Sequence, residues 1–192
     1  MWSNGIGILG YKASRVWITK LTFSFLVIRN FCLFENTKAM NMNTLKTGDK
    51  APNFSAIDHD GNQHQLTDFL GKKLIVFFYP RANTPGCTAE ACNLSDNYKS
   101  LHDKGYQILG VSADSVKHQK NFATKYDFPY PLLADTDKKL IHAFGVWGPK
   151  KFMGKEYDGI HRMTFIIDEE GTIQRVIDKV KTKDHAGQIL EG

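Results

Sequence analysis

The chain has 192 residues, 42% of them hydrophobic and 12% aromatic, enough to bury the core of one domain with an appendage. Its net charge of +5 is unevenly placed: residues 1–41 carry Lys12, Arg15, Lys20, Arg29 and Lys38 against Glu35 alone, leaving 20 basic and 19 acidic residues elsewhere. That balance, without a basic stripe or aromatic-basic interleaving, argues against a nucleic-acid partner. Three cysteines are too few for a secreted disulfide scaffold, so a reducing compartment, the cytoplasm, is expected.

Residues 21–28 form an apolar run of eight between Lys20 and Arg29, where a spanning helix takes about twenty, so no membrane crossing is expected. No small-residue cleavage site follows the run. Residues 1–41 therefore read as a leader or a mis-called N-terminal extension, poorly ordered, with translation starting at Met40 or Met42; intact mass decides this. Gly5, Gly7 and Gly10 match a dinucleotide fingerprint, but four preceding residues cannot make the strand it needs. Cys32 in this stretch reads as an incidental thiol.

From residue 42 onward there is no repeat, low-complexity run or linker, and one domain over 42–192 is expected. Residues 74–79 (LIVFFY) are an unbroken apolar, β-rich run, which predicts a central strand covered on both faces. A helix is predicted over 85–103, a strand over 106–111, and a helix over 116–126 behind the cap candidates Asp114 and Ser115. A further helix is predicted over 137–143 before Gly145. Strands over 163–167 and 172–177 are separated by the turn Asp168-Glu169-Glu170-Gly171 and read as a hairpin. This alternation is α/β: a mixed central β-sheet flanked by helices, which a thioredoxin-like fold satisfies along with other small α/β sheets.

The central strand runs into Pro80-Arg81-Ala82-Asn83-Thr84-Pro85-Gly86-Cys87, where Thr84 reads as a helix N-cap and Pro85 as its first residue. Cys87 then lies in the first turn, where free backbone N–H groups and the helix dipole favour a thiolate over a thiol. That makes it a candidate nucleophile; the alternative is a small buried hydrophobe. Cys87, Ala91, Leu94, Tyr98 and Leu101 share one helical stripe facing the core, and Cys92 lies off it. Residues five apart in an intact helix have Cα atoms roughly 8.7 Å apart, beyond the roughly 7 Å a disulfide tolerates. If the two cysteines pair, the first turns must unwind. A zinc site is the competing use of C-x4-C, but His102 and His118 offer no paired ligand spacing, and a thioredoxin-type exchanger carries C-x-x-C instead.

These residues resemble the peroxiredoxins, of the peroxiredoxin Q or bacterioferritin comigratory protein type. The resemblance covers residues 42–190 and rests on Leu45 to Phe54 (LKTGDKAPNF), Phe78-Tyr79-Pro80, the P-x-x-x-T-x-x-C stretch ending in Cys87, Thr88 to Cys92, Phe144 to Gly148, Met153-Gly154-Lys155 and Gly159 to Asp168. It implies that Cys87 is the peroxidatic cysteine and forms a sulfenic acid. It further implies that Thr84 holds the peroxide, Pro80 shields the sulfenic acid, Arg162 stabilises the thiolate and the developing peroxide charge, and Glu90 orients that arginine. Cys92 is implied as the resolving cysteine in an intramolecular Cys87–Cys92 disulfide, reduced by thioredoxin or a similar dithiol. No bound cofactor and no metal are expected, and the chain is expected to act as a monomer.

The resemblance departs at residues 1–41 and in the short last helix that 185–190 permits. His161 reads as a surface residue at a strand end, and Trp147 as a core or loop anchor. Competing readings are a general disulfide exchanger, or a redox sensor or holdase on the same fold that never turns over.

Overall fold

A computed structural model of the chain describes residues 43–152 and 154–191; the leader expected over 1–41 lies outside them. The elements are β1 (Ser55–Ile57), β2 (Gln63–Gln65), a 3₁₀ turn (Leu66–Phe69), β3 (Lys73–Phe78), α1 (Pro85–Asp96), α2 (Tyr98–Asp103), β4 (Tyr106–Ser112) and α3 (Val116–Tyr126). They continue with β5 (Leu132–Ala134), α4 (Lys139–Ala143), β6 (Trp147–Phe152), β7 (Lys155–Ile160), β8 (Met163–Ile167), β9 (Ile173–Ile177) and α5 (His185–Leu190).

The main sheet has five strands in the order β5-β4-β3-β8-β9. β3 pairs in parallel with β4 and antiparallel with β8, so the sheet is mixed, as the alternation of elements predicts. β3 is central because both its faces are apolar. Leu74, Val76 and Phe78 pack with Leu140, Ile141 and Phe144 on one side. Ile75 and Phe77, with Tyr79 just beyond the strand, pack with Ala91 and Leu94 of α1, Phe122 of α3 and Ile189 of α5 on the other. This period of two is what a pleated strand imposes. Gly110 stands opposite Phe77 in the β3–β4 register, and a Cβ there would come within 2.6 Å of Leu132 and 2.8 Å of Phe77.

Two expectations are corrected. The helix expected over 85–103 is two helices, because the Asn97 side chain donates to Asn93 O at 2.8 Å and its backbone turns out of helical geometry at φ −104°, ψ 11°. The helix expected over 137–143 begins at residue 139: Lys138 sits at φ +59°, and the Asp135 carboxylate takes the Ile141 N–H at 2.8 Å. The hairpins β1–β2 and β6–β7 and the short strand β5 are additions that the apolar pattern does not announce. The 163–177 hairpin forms as expected, with Asp168 Oδ1 accepting from Glu170 N and Thr172 N in the turn. Among the described residues no helix is long and apolar enough to cross a membrane.

Candidate active site

β3 ends at Phe78, and the chain leaves the sheet through a loop pinned by Asp114, whose Oδ2 accepts from Ala82 N at 2.8 Å and from Ser112 Oγ at 2.8 Å. Asn83 takes a left-handed conformation at φ +60°, which asparagine tolerates better than most residues. The chain then enters α1 with Thr84 as N-cap and Pro85 first in the helix. Thr84 takes the N-cap position that the sequence predicts, but its side chain makes no capping bond: its hydroxyl donates to Arg81 O at 3.0 Å. The first amides of α1 therefore have no side-chain acceptor, and they and the helix dipole face the start of the helix where Cys87 sits.

Cys87 is the third residue of α1 and is 1% exposed. The expected stripe forms: Ala91, Leu94 and Leu101 are buried with it, and Tyr98 packs at its edge. Arg162 lies just before β8, whose first residue, Met163, pairs with Phe78, so sheet register brings the arginine beside the loop that delivers Cys87. Arg162 Nη2 lies 3.2 Å from Cys87 Sγ, and Nη1 donates to Glu90 Oε2. Gly86 leaves room for this approach; a Cβ there would stand 3.3 Å from Nη2. Thr84 is half-buried nearby in sequence, whereas Pro80 is exposed.

Glu90 is fully buried, and burial pushes its carboxyl up to about 7 although Arg162 opposes the rise. Its second oxygen, Oε1, has no hydrogen-bond partner and stands 3.9 Å from Nε2 of His185, which is also fully buried. That His185 nitrogen shares a 2.9 Å hydrogen bond with Thr164 Oγ1. Burial drives the imidazole down to about 4, so it is neutral at neutral pH. Lys150 of β6 donates to Ile160 O at 2.8 Å, and burial followed by the nearby Arg162 lowers its affinity for a proton.

His161 differs from its sequence reading as a surface residue. The residue is half-buried, its backbone N–H donates to Val146 O at 2.8 Å, and its Nε2 is buried without a partner. Trp147 is half-buried at the start of β6 under the Lys138 ammonium, 4.1 Å from the ring. Sequence reasoning missed Thr164 and His185. Thr164 had a signal, a lone polar residue in an otherwise apolar strand, since a buried hydroxyl requires a partner.

Cys92 is half-buried, also in α1, and both cysteines are free thiols. Burial, then the Asp96 carboxylate, pushes the Cys92 thiol up. Five positions apart in one continuous helix, their Cα atoms are separated by roughly 8.7 Å. Among the described residues no group of three or more histidine, cysteine or acidic side chains could hold a metal ion.

The sequence profile of the AhpC/TSA family matches residues 47–176. Peroxiredoxin Bcp of Escherichia coli (strain K12) is 50% identical over 149 residues, 78% of this chain and 96% of that protein. A structure of the Xanthomonas campestris bacterioferritin comigratory protein, described for its alkyl peroxide reduction activity, is 36% identical with TM-score 0.69, covering 73% of this chain and 89% of that one. A PrxQ variant from Xylella fastidiosa is 30% identical with TM-score 0.73, covering 78% of this chain and 95% of that one. A cysteine in the first turn of a helix beside an arginine, set in this sheet and matched over nearly the full length of such relatives, has one reading: the chain belongs to the AhpC/TSA family and is a peroxiredoxin of the peroxiredoxin Q/Bcp type, an oxidoreductase acting on peroxide.

Proposed function

We propose that the chain reduces hydrogen peroxide and organic hydroperoxides at Cys87. The observation that carries this is the guanidinium of Arg162, 3.2 Å from Cys87 Sγ and braced on its far side by Glu90. A fixed cation at this place favours a thiolate and the negative charge that develops as the O–O bond breaks. The thiolate attacks the terminal peroxide oxygen, giving the Cys87 sulfenic acid and an alkoxide or hydroxide that takes up a proton and leaves as alcohol or water. The Thr84 hydroxyl, which spends its proton on Arg81 O, keeps its oxygen lone pairs for the proton of an incoming hydroperoxide. Pro80, at the end of the strand, closes the approach to the sulfur.

The Cys92 thiol then condenses with the sulfenic acid, forming the Cys87–Cys92 disulfide and releasing water. Because α1 as folded keeps the pair too far apart, its first turns unwind for this step. An external dithiol, thioredoxin or a similar protein of the cytoplasm, reduces the disulfide by exchange. The cycle runs in a monomer without a bound cofactor. The alkyl peroxide activity of the Xanthomonas relative supports organic hydroperoxides as substrates.

The test is peroxide consumption with thioredoxin and its reductase, together with peptide mass spectrometry after one equivalent of peroxide. Turnover that vanishes in Cys87→Ser and a Cys87–Cys92 linked peptide are expected. Unchanged turnover in that variant would overturn the reading. Oxidation that occurs once and never cycles with any reductant would make the protein a sensor instead.

A further inference from the structure

The proposed cycle requires α1 to open between Cys87 and Cys92, and one contact on that stretch comes from outside the site. The phenol of Tyr130 donates to the carbonyl oxygen of Ala91 at 2.6 Å. Tyr130 is 3% exposed and belongs to the segment that leads into β5. Its ring stacks on Phe128 at 5.6 Å and meets Phe77 edge-on at 5.9 Å. The neighbouring backbone is tied to the sheet by Gly110, which donates to Pro131 O at 3.1 Å, and to the β1–β2 turn by Leu132, which donates to His59 Nδ1 at 3.1 Å. Tyr130 is thus fixed by the aromatic cluster and the sheet, and it does not travel with α1.

When α1 unwinds through Cys92, the Ala91 carbonyl leaves and the phenol hydroxyl loses its partner among rings, which costs free energy for a buried donor. The folded helix gains by the same amount. Building on the function proposed above, we propose that Tyr130 is a positioning residue that acts through α1: its hydroxyl is a brake on the unwinding that disulfide formation needs.

The brake has a chemical consequence, because the Cys87 sulfenic acid has two fates. It condenses with the Cys92 thiol, releasing water and forming the S–S bond, which requires α1 open. Alternatively a second hydroperoxide oxidises it to the sulfinic acid, leaving as alcohol or water, while the folded pocket still presents Arg162. A stronger hold on Ala91 lengthens the life of the folded sulfenic acid and raises the share lost to the second fate.

Tyr130→Phe tests this, since it removes the hydroxyl and keeps the ring. After one equivalent of hydrogen peroxide, timed alkylation and mass spectrometry should show sulfenic acid forming at the wild-type rate. The disulfide should form about three- to ten-fold faster, the range one buried hydrogen bond spans, and under excess peroxide the sulfinic fraction per turnover should fall. Disulfide closure at the wild-type rate, or slower, overturns the proposal. Amide hydrogen exchange on the reduced proteins gives a second readout. Faster exchange in Tyr130→Phe at residues 88–92, with β3 and β4 unchanged, supports the brake, whereas equal acceleration everywhere marks a purely structural loss and overturns it. If wild-type protein forms no Cys87–Cys92 disulfide, the proposed cycle fails, and the exchange measurement still decides whether Tyr130 holds α1 closed.

Discussion

Arg162 and Cys87 are 75 positions apart in the chain, yet the guanidinium Nη2 lies 3.2 Å from the sulfur. One arginine spans two partners here, giving Nη2 to Cys87 and Nη1 to Glu90, a forked geometry that an ammonium cannot reproduce. Arg162→Lys and Arg162→Ala are both expected to lower kcat/KM for hydrogen peroxide by about 10²- to 10³-fold, the usual cost of removing one preorganised donor to developing charge. Stopped-flow oxidation of the reduced enzyme measures it. A lysine variant within about three-fold of wild type would mean that the fork is dispensable.

Glu90 gives a stability signature with a definite sign. Burial raises its carboxyl from 4.5 in the unfolded chain to about 7. Between those values the folded protein holds a proton that the unfolded chain has released, so this contribution is present in full below about pH 4.5 and is lost as pH rises through about 7. Glu90→Gln lacks the titration and can still accept from Arg162. The stability of wild type relative to Glu90→Gln should fall between pH 4.5 and 7, by on the order of 2–3 kcal/mol. Urea denaturation across that range reads it, and parallel curves for the two proteins would contradict the assignment.

His185 titrates in the opposite sense. Burial lowers it from 6.5 to about 4, so the unfolded chain binds the extra proton first, and the contribution of the neutral ring is present above about pH 6.5 and lost as pH falls toward 4. His185→Leu should flatten this acid loss. At pH 8 the same variant should cost about 1–3 kcal/mol, because Thr164 Oγ1 loses its partner in a fully buried place. Thr164→Val in the His185→Leu background should recover part of that loss, a coupling that a double-mutant cycle isolates.

What the sequence made legible follows the length scale of the interactions. The unbroken apolar run at 74–79 and the Thr84-Pro85 entry are local signals, and they locate β3 and the first turn of α1 to within one residue. The proximity of Arg162 to Cys87 has no local signal; it depends on the pairing of Phe78 with Met163, and in the sequence it came from family resemblance alone. The full burial of Glu90 has no local signal for the same reason, since Arg162 and His185, which flank it, arrive from distant positions. The break at Asn97 was local and still invisible to apolar spacing, because a side-chain hydrogen bond causes it while the stripe Leu94, Tyr98, Leu101 continues across it.

Asn93, next to Cys92, carries the last prediction. Its Oδ1 accepts from Ala186 N at 2.8 Å and its Nδ2 donates to Lys183 O at 3.1 Å. The N-cap of α5, Asp184, makes no side-chain capping bond, so a residue of α1 caps α5 from outside. Asn93→Ala removes that cap and should cost about 1–2 kcal/mol, in line with other lost caps. Asn93→Asp keeps the acceptor for Ala186 and loses only the donor to Lys183, so it should recover about half of the loss. Because α5 also carries His185, the alanine variant should raise amide exchange at residues 186–190 and weaken the His185 titration signature. The rate at which peroxide oxidises Cys87 should stay within about two-fold of wild type, since the Arg162–Glu90 bond does not involve α5. An alanine variant as stable as wild type would show that α5 needs no cap from α1, and a large fall in the peroxide rate would show that the packing of α5 reaches the sulfur.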